Sequence, residues 1–209
     1  MATEPTGLMA FWVEIDADYV DRFREWHNCE HMPERVAIPG FVAGRRYFAV
    51  GESKGVLMMY ETADAGVLAS PAYMARLNDP TPWTKESLPH FRNPSRNIYS
   101  LVAGEGVSDF HAAPYMISVR FNGEADAGTV AKLCANEGVG RVRLYAIDEA
   151  ISGIETSERA IYGGGPGEQK WLLLIEAASP ALDAVRAAAA GWRDVYLDGF
   201  AVEYVLEAA

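Results

Sequence analysis

The sequence predicts an α+β fold: two tandem ferredoxin-like βαββαβ repeats whose antiparallel sheets pack into an α+β barrel. Three observations carry this reading. Eight apolar, β-rich runs divide into two sets of four. In each set one helical stretch follows the first run and another follows the third. The third run of each set also ends in a glutamate, Glu61 or Glu176, with a good helix N-cap three residues later, Asp64 or Ser179. Sheets of this kind carry helices on one face only, so their bare faces must cover each other.

The first run, GLMAFWVEI (7–15), alternates Phe11, Val13 and Ile15 with Ala10, Trp12 and Glu14. The apolar set should meet the helices, leaving Trp12 and Glu14 toward the other sheet. A helix is expected over 16–31, with Tyr19, Phe23 and Trp26 as its sheet-packing stripe. Pro33 should stop it near His31, because proline has no N–H to give residue 29 and pushes Met32 off helical angles. The second run, FVAGRRYFAV (41–50), turns Arg45 and Tyr47 inward and Arg46 and Phe48 outward. VLMMYE (56–61) leads to a proline-broken segment from Asp64 to about His90. Within it, residues 80–94 hold four prolines, Trp83 and His90 and are expected to form a cover or lid. RNIYSLVA (96–103) completes the first unit, 1–105, and GEGVSDFHAA (104–113) is the linker.

The second unit, 106–209, follows the same plan: YMISVRF (115–121), a helix over 126–137 closed by Gly138, RVRLYAI (141–147) and KWLLLIEA (170–177). A helix over 179–190 with Pro180 at its first position precedes FAVEYVLEA (200–208). Residues 150–169, containing YGGGPGEQ, are far longer than the GESKG turn at the matching place in the first unit. These glycines precede a strand rather than a helix, which suits a mobile flap at the barrel mouth and not a phosphate cradle.

A net charge of −11 over 209 residues argues against nucleic-acid binding, which rests on Lys and Arg displacing counterions. No run approaches the roughly 18 apolar residues of a membrane span, and MATEPTG has neither the basic nor the apolar region of a secretion signal. Two cysteines, Cys29 and Cys134, make no disulfide framework. A cytoplasmic protein without membrane or nucleic-acid partners is expected.

The stretch WHNCEH (26–31) carries the chemistry. His27, Glu30 and His31 fit H-x-x-E-H, an inverted zinc-hydrolase spacing, but no later segment offers an evident third ligand and Pro33 interrupts the helix. No metal site is expected. At a helix end flanked by Glu30 and Glu34, His31 should favour the imidazolium and serve as proton donor or shuttle. The alternative is a histidine that only caps carbonyls.

Extended to residue 47, the string W-H-x-x-E-H-x-P-E-R-x-x-x-P-G-F-x-x-x-R-R-Y resembles the first half of EthD-like members of the dimeric α+β barrel superfamily. Trp26, Glu30, His31, Pro33, Glu34, Pro39, Gly40, Phe41, Arg45, Arg46 and Tyr47 carry the likeness, and residues 78–100 look similar too. The second unit has no counterpart of EHMPER. The resemblance implies a barrel-end or between-sheet cavity for a small apolar or aromatic ligand, built by one chain that is a monomer or a homodimer. It also implies cofactor-independent acid–base chemistry, of isomerase, lyase or monooxygenase type, on an aromatic or polyketide-like molecule. His31, Glu34 and Arg45 are then the expected catalytic residues, Arg45 holding a developing oxyanion. Trp12, Glu14, His27, Tyr47, Trp83 and His90 are the expected substrate contacts. Two further readings stay open on the same fold: a haem-dependent enzyme with His27 or His31 as axial ligand, and a non-catalytic binding or assembly module.

Overall fold

A computed structural model of the chain describes residues 4–51, 55–180 and 183–208. Most of the GESKG turn, and residues 181–182 of the helix expected over 179–190, lie outside them. The described residues form eight strands: β1 (Gly7–Ile15), β2 (Phe41–Ala49), β3 (Gly55–Thr62), β4 (Phe91–Gly106), β5 (Tyr115–Asn122), β6 (Val139–Ile147), β7 (Trp171–Ala177) and β8 (Arg193–Glu207). Every neighbouring pair is antiparallel, in the order β1-β3-β2-β8-β5-β7-β6-β4, and β4 returns to β1 to close the barrel. The first four strands lie as β4-β1-β3-β2 and the last four as β8-β5-β7-β6, joined through β2–β8 and β6–β4. β4 and β8 begin at residues 91 and 193, well before their apolar runs, because their polar leading ends still find backbone partners on β1 and β5.

Alternation along each strand sorts side chains to two faces. Leu8, Ala10 and Trp12 of β1 point inward and pack with Tyr47, Leu174 and Phe200, among others, in a filled interior. Phe11, Val13 and Ile15 point outward and pack with Phe23 and Trp26 of the first helix, as their apolar pattern predicts. Burying a side chain such as Phe23 contributes about 1.5–3 kcal/mol, which is what holds the helical layer on the sheet.

One end of the interior is ionic. Arg143 on β6 donates to Glu61 on β3 and, at 2.9 Å, to Glu176 on β7; Arg45 on β2 donates to Glu61 at 2.8 Å. Glu61 and Glu176 are the two glutamates that end the matching apolar runs, and both reach one guanidinium. All four side chains are buried.

The helical layer differs from expectation at its centre. α1 (Val20–Trp26) does not stop at His31. It widens into a π-helical turn, His27–His31, in which the Met32 N–H donates to the His27 carbonyl, and continues as α2 (Met32–Val36). Pro33 is accommodated because the wide turn comes directly before it and puts it in the first turn of a new α segment, where its missing N–H costs little.

The segment 64–90 folds as a 3₁₀ turn (Ala65–Ala69), α3 (Pro71–Asn78), α4 (Pro82–Ser87) and a second 3₁₀ turn (Leu88–His90). In the second half α5 (Ala127–Cys134) ends short of residue 137 and α8 covers Asp183–Ala188. The connection between β6 and β7 contains α6 (Glu149–Ser152) and α7 (Ser157–Tyr162), where a flap was expected. No helix among the described residues is long and apolar enough to cross a membrane.

The ionic cluster makes a definite prediction. Burial alone would push the Glu61 carboxyl up, but Arg143 and Arg45 outweigh burial and hold it below its ordinary value. Its contribution to stability is therefore present above the ordinary carboxylate range and is lost as pH falls from that range through the depressed value of the folded state. Arg143→Met should lower unfolding stability by about 3–5 kcal/mol, since it strands the buried Glu176 side chain and leaves Glu61 with Arg45 alone. Urea unfolding at neutral pH measures this.

Candidate active site between helix and sheet

His31 does not face the barrel interior. The helical layer lies on the outer face of the first-half sheet, and His31 borders a cavity between the two. The cavity floor is Phe11 of β1, Met58 and Tyr60 of β3 and Arg96 of β4; its helical wall is Trp26, His31, Arg35 and Tyr73. Glu158 and Tyr162 of α7 cover it from the second half. The expected barrel-end cavity exists at the barrel mouth, lined by Trp12 and Glu14, and the interior behind it is packed with side chains; the His31 cavity lies on the other side of the sheet. Its free volume is about 20 Å³, room for roughly one water.

The two histidines are both buried, and their rings stand 5.7 Å apart. Arg46 donates to His27 Nδ1 at 3.0 Å. Arginine has no acceptor, so Nδ1 must be unprotonated and Nε2–H donates to the Tyr60 hydroxyl at 3.1 Å. That leaves the Tyr60 proton free to donate toward the cavity. His31 differs: its Nδ1 is buried with no hydrogen-bond partner, and its ring lies 4.4 Å from that of Trp26. Burial, then Arg35, then the neighbouring His27 ring hold the His31 pKa well below the ordinary histidine value. Burial, Arg46 and Arg35 do the same for His27. The imidazolium expected for His31 is thus corrected. The helix does not end there, so no carbonyl dipole favours the cation, and desolvation decides.

Around this neutral pair sit charged groups with few waters to screen them. Arg35, whose side chain is almost fully buried, pairs with Glu158 and with Glu34, the latter at 3.1 Å. Arg96 donates to the Tyr73 hydroxyl at 3.0 Å. Burial pushes the Glu158 carboxyl up, and Arg35 and Arg96 only partly offset it. Phe11 and Phe91 pack against Tyr162 with tilted rings, closing an aromatic wall.

The other expected site residues are dispersed. Glu34 turns to Arg35 and Arg76, not to His31. Arg45 and Tyr47 lie inside the barrel, so Arg45 cannot hold an oxyanion formed beside His31; alternation sends it to the opposite face from Arg46. Trp12 donates to Ser118 across the interior at 3.2 Å, and Glu14 accepts from Asn93 at the barrel mouth, also at 3.2 Å. Trp83 lies beneath Arg22, and His90 stacks on Tyr19 and pairs with Asp16. Residues 80–94 therefore clamp α1 from outside rather than close over the cavity; only Leu88 and Phe91 reach its wall.

The H-x-x-E-H residues do not converge either. Glu30 accepts from Thr81 at 2.6 Å, and both His27 nitrogens are engaged. Among the described residues no group of three His, Cys, Asp or Glu side chains could hold a metal ion. His31 borders about 20 Å³, so neither a haem nor any other ligand needing several hundred Å³ enters beside it unless the cover moves. The roomier cavities, at the barrel mouth and between α5, α8 and the sheet, contain no histidine.

Sequence reasoning missed Arg35, Tyr60, Tyr73, Arg96, Glu158 and Tyr162. Arg35 was accessible in principle, since it lies four residues after His31 and shares its face once the helix continues. Glu158 and Tyr162 carry no local signal, because they reach the cavity from the second half of the chain.

No family model matches the chain, and no curated protein sequence matches it. Solved structures do. An anthrone oxidase-like protein superposes over 99% of this chain and 94% of its own, with a TM-score of 0.64 and 10% identity. A proposed monooxygenase from Fusobacterium nucleatum covers 99% and 96%, with a TM-score of 0.59 and 8% identity. A haem-binding protein from Thermus thermophilus covers 97% and 92%, with a TM-score of 0.52 and 10% identity. At such identities the likeness establishes the fold alone, an α+β barrel running the length of the chain.

The neutral histidine pair predicts a pH signature. In the unfolded chain both imidazoles titrate near 6.5, whereas in the fold they stay neutral well below it. Stability from this source is complete above pH 6.5 and falls as pH drops below it, by roughly 1.4 kcal/mol per pH unit for each histidine. Histidine-selective NMR should show the ring signals of His27 and His31 unchanged through pH 6.5.

Proposed function

We propose that this chain is a cofactor-independent enzyme that removes a proton from a small aromatic or polyketide-like molecule bound between the first-half helices and the sheet. One observation carries the reading: a buried neutral imidazole, His31, whose Nδ1 has no partner and which borders a cavity also lined by Tyr60, Arg35 and Arg96. In the Nε2–H tautomer the unpartnered Nδ1 holds a vacant lone pair, and such an imidazole is a base. Proton removal from an acidic C–H or phenolic O–H leaves an enolate or phenolate. Arg35, Arg96 and the free Tyr60 proton are the groups available to stabilise that oxyanion in a site with little water. His27 is a positioning residue that orients Tyr60. The walls formed by Trp26, Phe11, Phe91 and Tyr162 suit a flat, apolar ring.

Cofactor-independent isomerase, lyase and monooxygenase reactions on such molecules can each begin with this proton removal, and the likeness to an anthrone oxidase-like protein agrees with such a substrate. Space for one water means that a ligand is admitted only when the cover moves. α7 is followed by Gly163 and Gly164 at φ +72° and +78°, a pair able to take up such a change.

We read the chain as EthD-like, with residues 1–105 as the equipped repeat and 106–209 as its degenerate copy. The recurrence of one strand order in both halves supports this, as does AGTVAKLC in α5, which has no counterpart of His31. Two free cysteines agree with the cytoplasm.

Anthrone, with its acidic C10 methylene, tests the base without presupposing the later step. Wild-type protein should speed C10 hydrogen–deuterium exchange in D₂O, followed by NMR. His31→Ala should slow the catalysed exchange by about 10²–10⁴-fold while leaving anthrone affinity nearly unchanged. Equal losses in both would make His31 a positioning residue, and exchange no faster than in buffer would remove the base assignment.

A further inference from the structure

The cavity at the barrel mouth is separate from the histidine site and much larger, about 450 Å³, within the range of small-molecule sites. Trp12, Val56 and Phe200 form its apolar side, and Glu14, Arg120 and Asp198 its charged side. Gly167 to Gln169 of the glycine-rich loop make one rim, latched by the Gly167 N–H donating to Asn97 at 2.8 Å.

Arg120 is the unusual group here. Its side chain is only 11% exposed, yet its hydrogen bonding is poor. Nε is buried with no partner, one terminal nitrogen lies 3.4 Å from Ser95 Oγ, and the other is 3.7 Å from Asp198, too far for a good hydrogen bond. Its guanidinium carbon lies over the rings of Trp12 at 4.3 Å and Tyr196 at 5.0 Å, so aromatic contact occupies its π surface and leaves the terminal N–H groups for a ligand. Asp198 is likewise underpaired. Burial pushes its carboxyl up with only Arg120 to offset the shift, and burial lowers Arg120 despite Asp198.

An anion alone would meet Glu14, Glu168 and Asp198, and a cation alone would meet Arg120. A zwitterion satisfies both. We propose that the barrel mouth binds a small α-amino acid with an apolar side chain: its carboxylate on the N–H edge of Arg120, its ammonium on Asp198, and its side chain against Trp12 and Phe200. The loose gap between Arg120 and Asp198 matches the adjacency of the two charges on one α-carbon.

Isothermal titration of the full chain with L-phenylalanine at pH 7.5 tests this, beside N-acetyl-phenylalanine, which lacks the ammonium, and phenethylamine, which lacks the carboxylate. Phenylalanine should bind, and each truncated ligand should bind about ten- to a hundredfold more weakly, the weight of one charge-assisted hydrogen bond. Arg120→Lys, which keeps the charge but loses the fork, should weaken phenylalanine by a similar factor. Asp198→Asn, at a side chain 36% exposed and so safe for the fold, should also weaken phenylalanine and erase its advantage over the acetylated ligand. His31→Gln should leave the affinity unchanged. No binding to 10 mM, equal binding of all three ligands, indifference to Asp198→Asn, or loss on His31→Gln would each overturn the proposal.

Discussion

Arg143 held between Glu61 and Glu176 is the interaction on which the rest of the architecture turns. Two buried arginines and two buried glutamates inside a closed sheet are tolerable only if they meet each other, and they meet in one register. A slip of one residue along β3, β6 or β7 would send a charge out to the helical face and an apolar side chain into the cluster. The pairing also consumes the interior. The ionic end is closed and the middle is packed by Leu8, Tyr47, Leu174 and their neighbours, so room between the sheets is left at the opposite mouth. Binding space is thereby displaced to the outer face beneath the helices and to the opposite mouth.

On the outer face, what matters is how one helix passes a proline. The π-turn at His27–His31 lets the chain continue through Pro33, and the continued helix brings Arg35 to the cavity that His31 borders. Had the helix ended at His31, that ring would have sat by carbonyl ends and carboxylates and been protonated. Because the helix continues, the ring lies in a desolvated space beside a guanidinium, and a base replaces the acid that the local charges imply. His27, four residues earlier, shows how much depends on partners. It has the same burial and the same neutral state, yet both its nitrogens are engaged and it can only orient Tyr60.

The second half serves the first through one connection. The segment between β6 and β7 supplies α7 as a cover for the histidine cavity and then Gly167–Gln169 as a rim of the barrel mouth. Two of its anchors, Ser152 on the Ile98 N–H and the Ser157 N–H on Asn78, are made to first-half elements. A length that has no purpose within its own half is explained by what it reaches.

The sequence by itself determined the eight strands, their inner and outer faces and the α+β barrel, because alternation and apolar runs are local properties and closure follows from two bare faces. It also marked His31, through EHMPER. It could not show that Pro33 would be passed by a π-turn, since proline reads locally as a stop and only packing of Phe23, Trp26 and Met32 on the sheet favours the wider turn. Nor could it bring together His31, Arg96 and Glu158, which lie on three elements far apart in the chain. The tertiary structure alone decided which side of the sheet holds the cavity and which charges surround the imidazole. Both depend on non-local contact and desolvation, which have no signature in residue order.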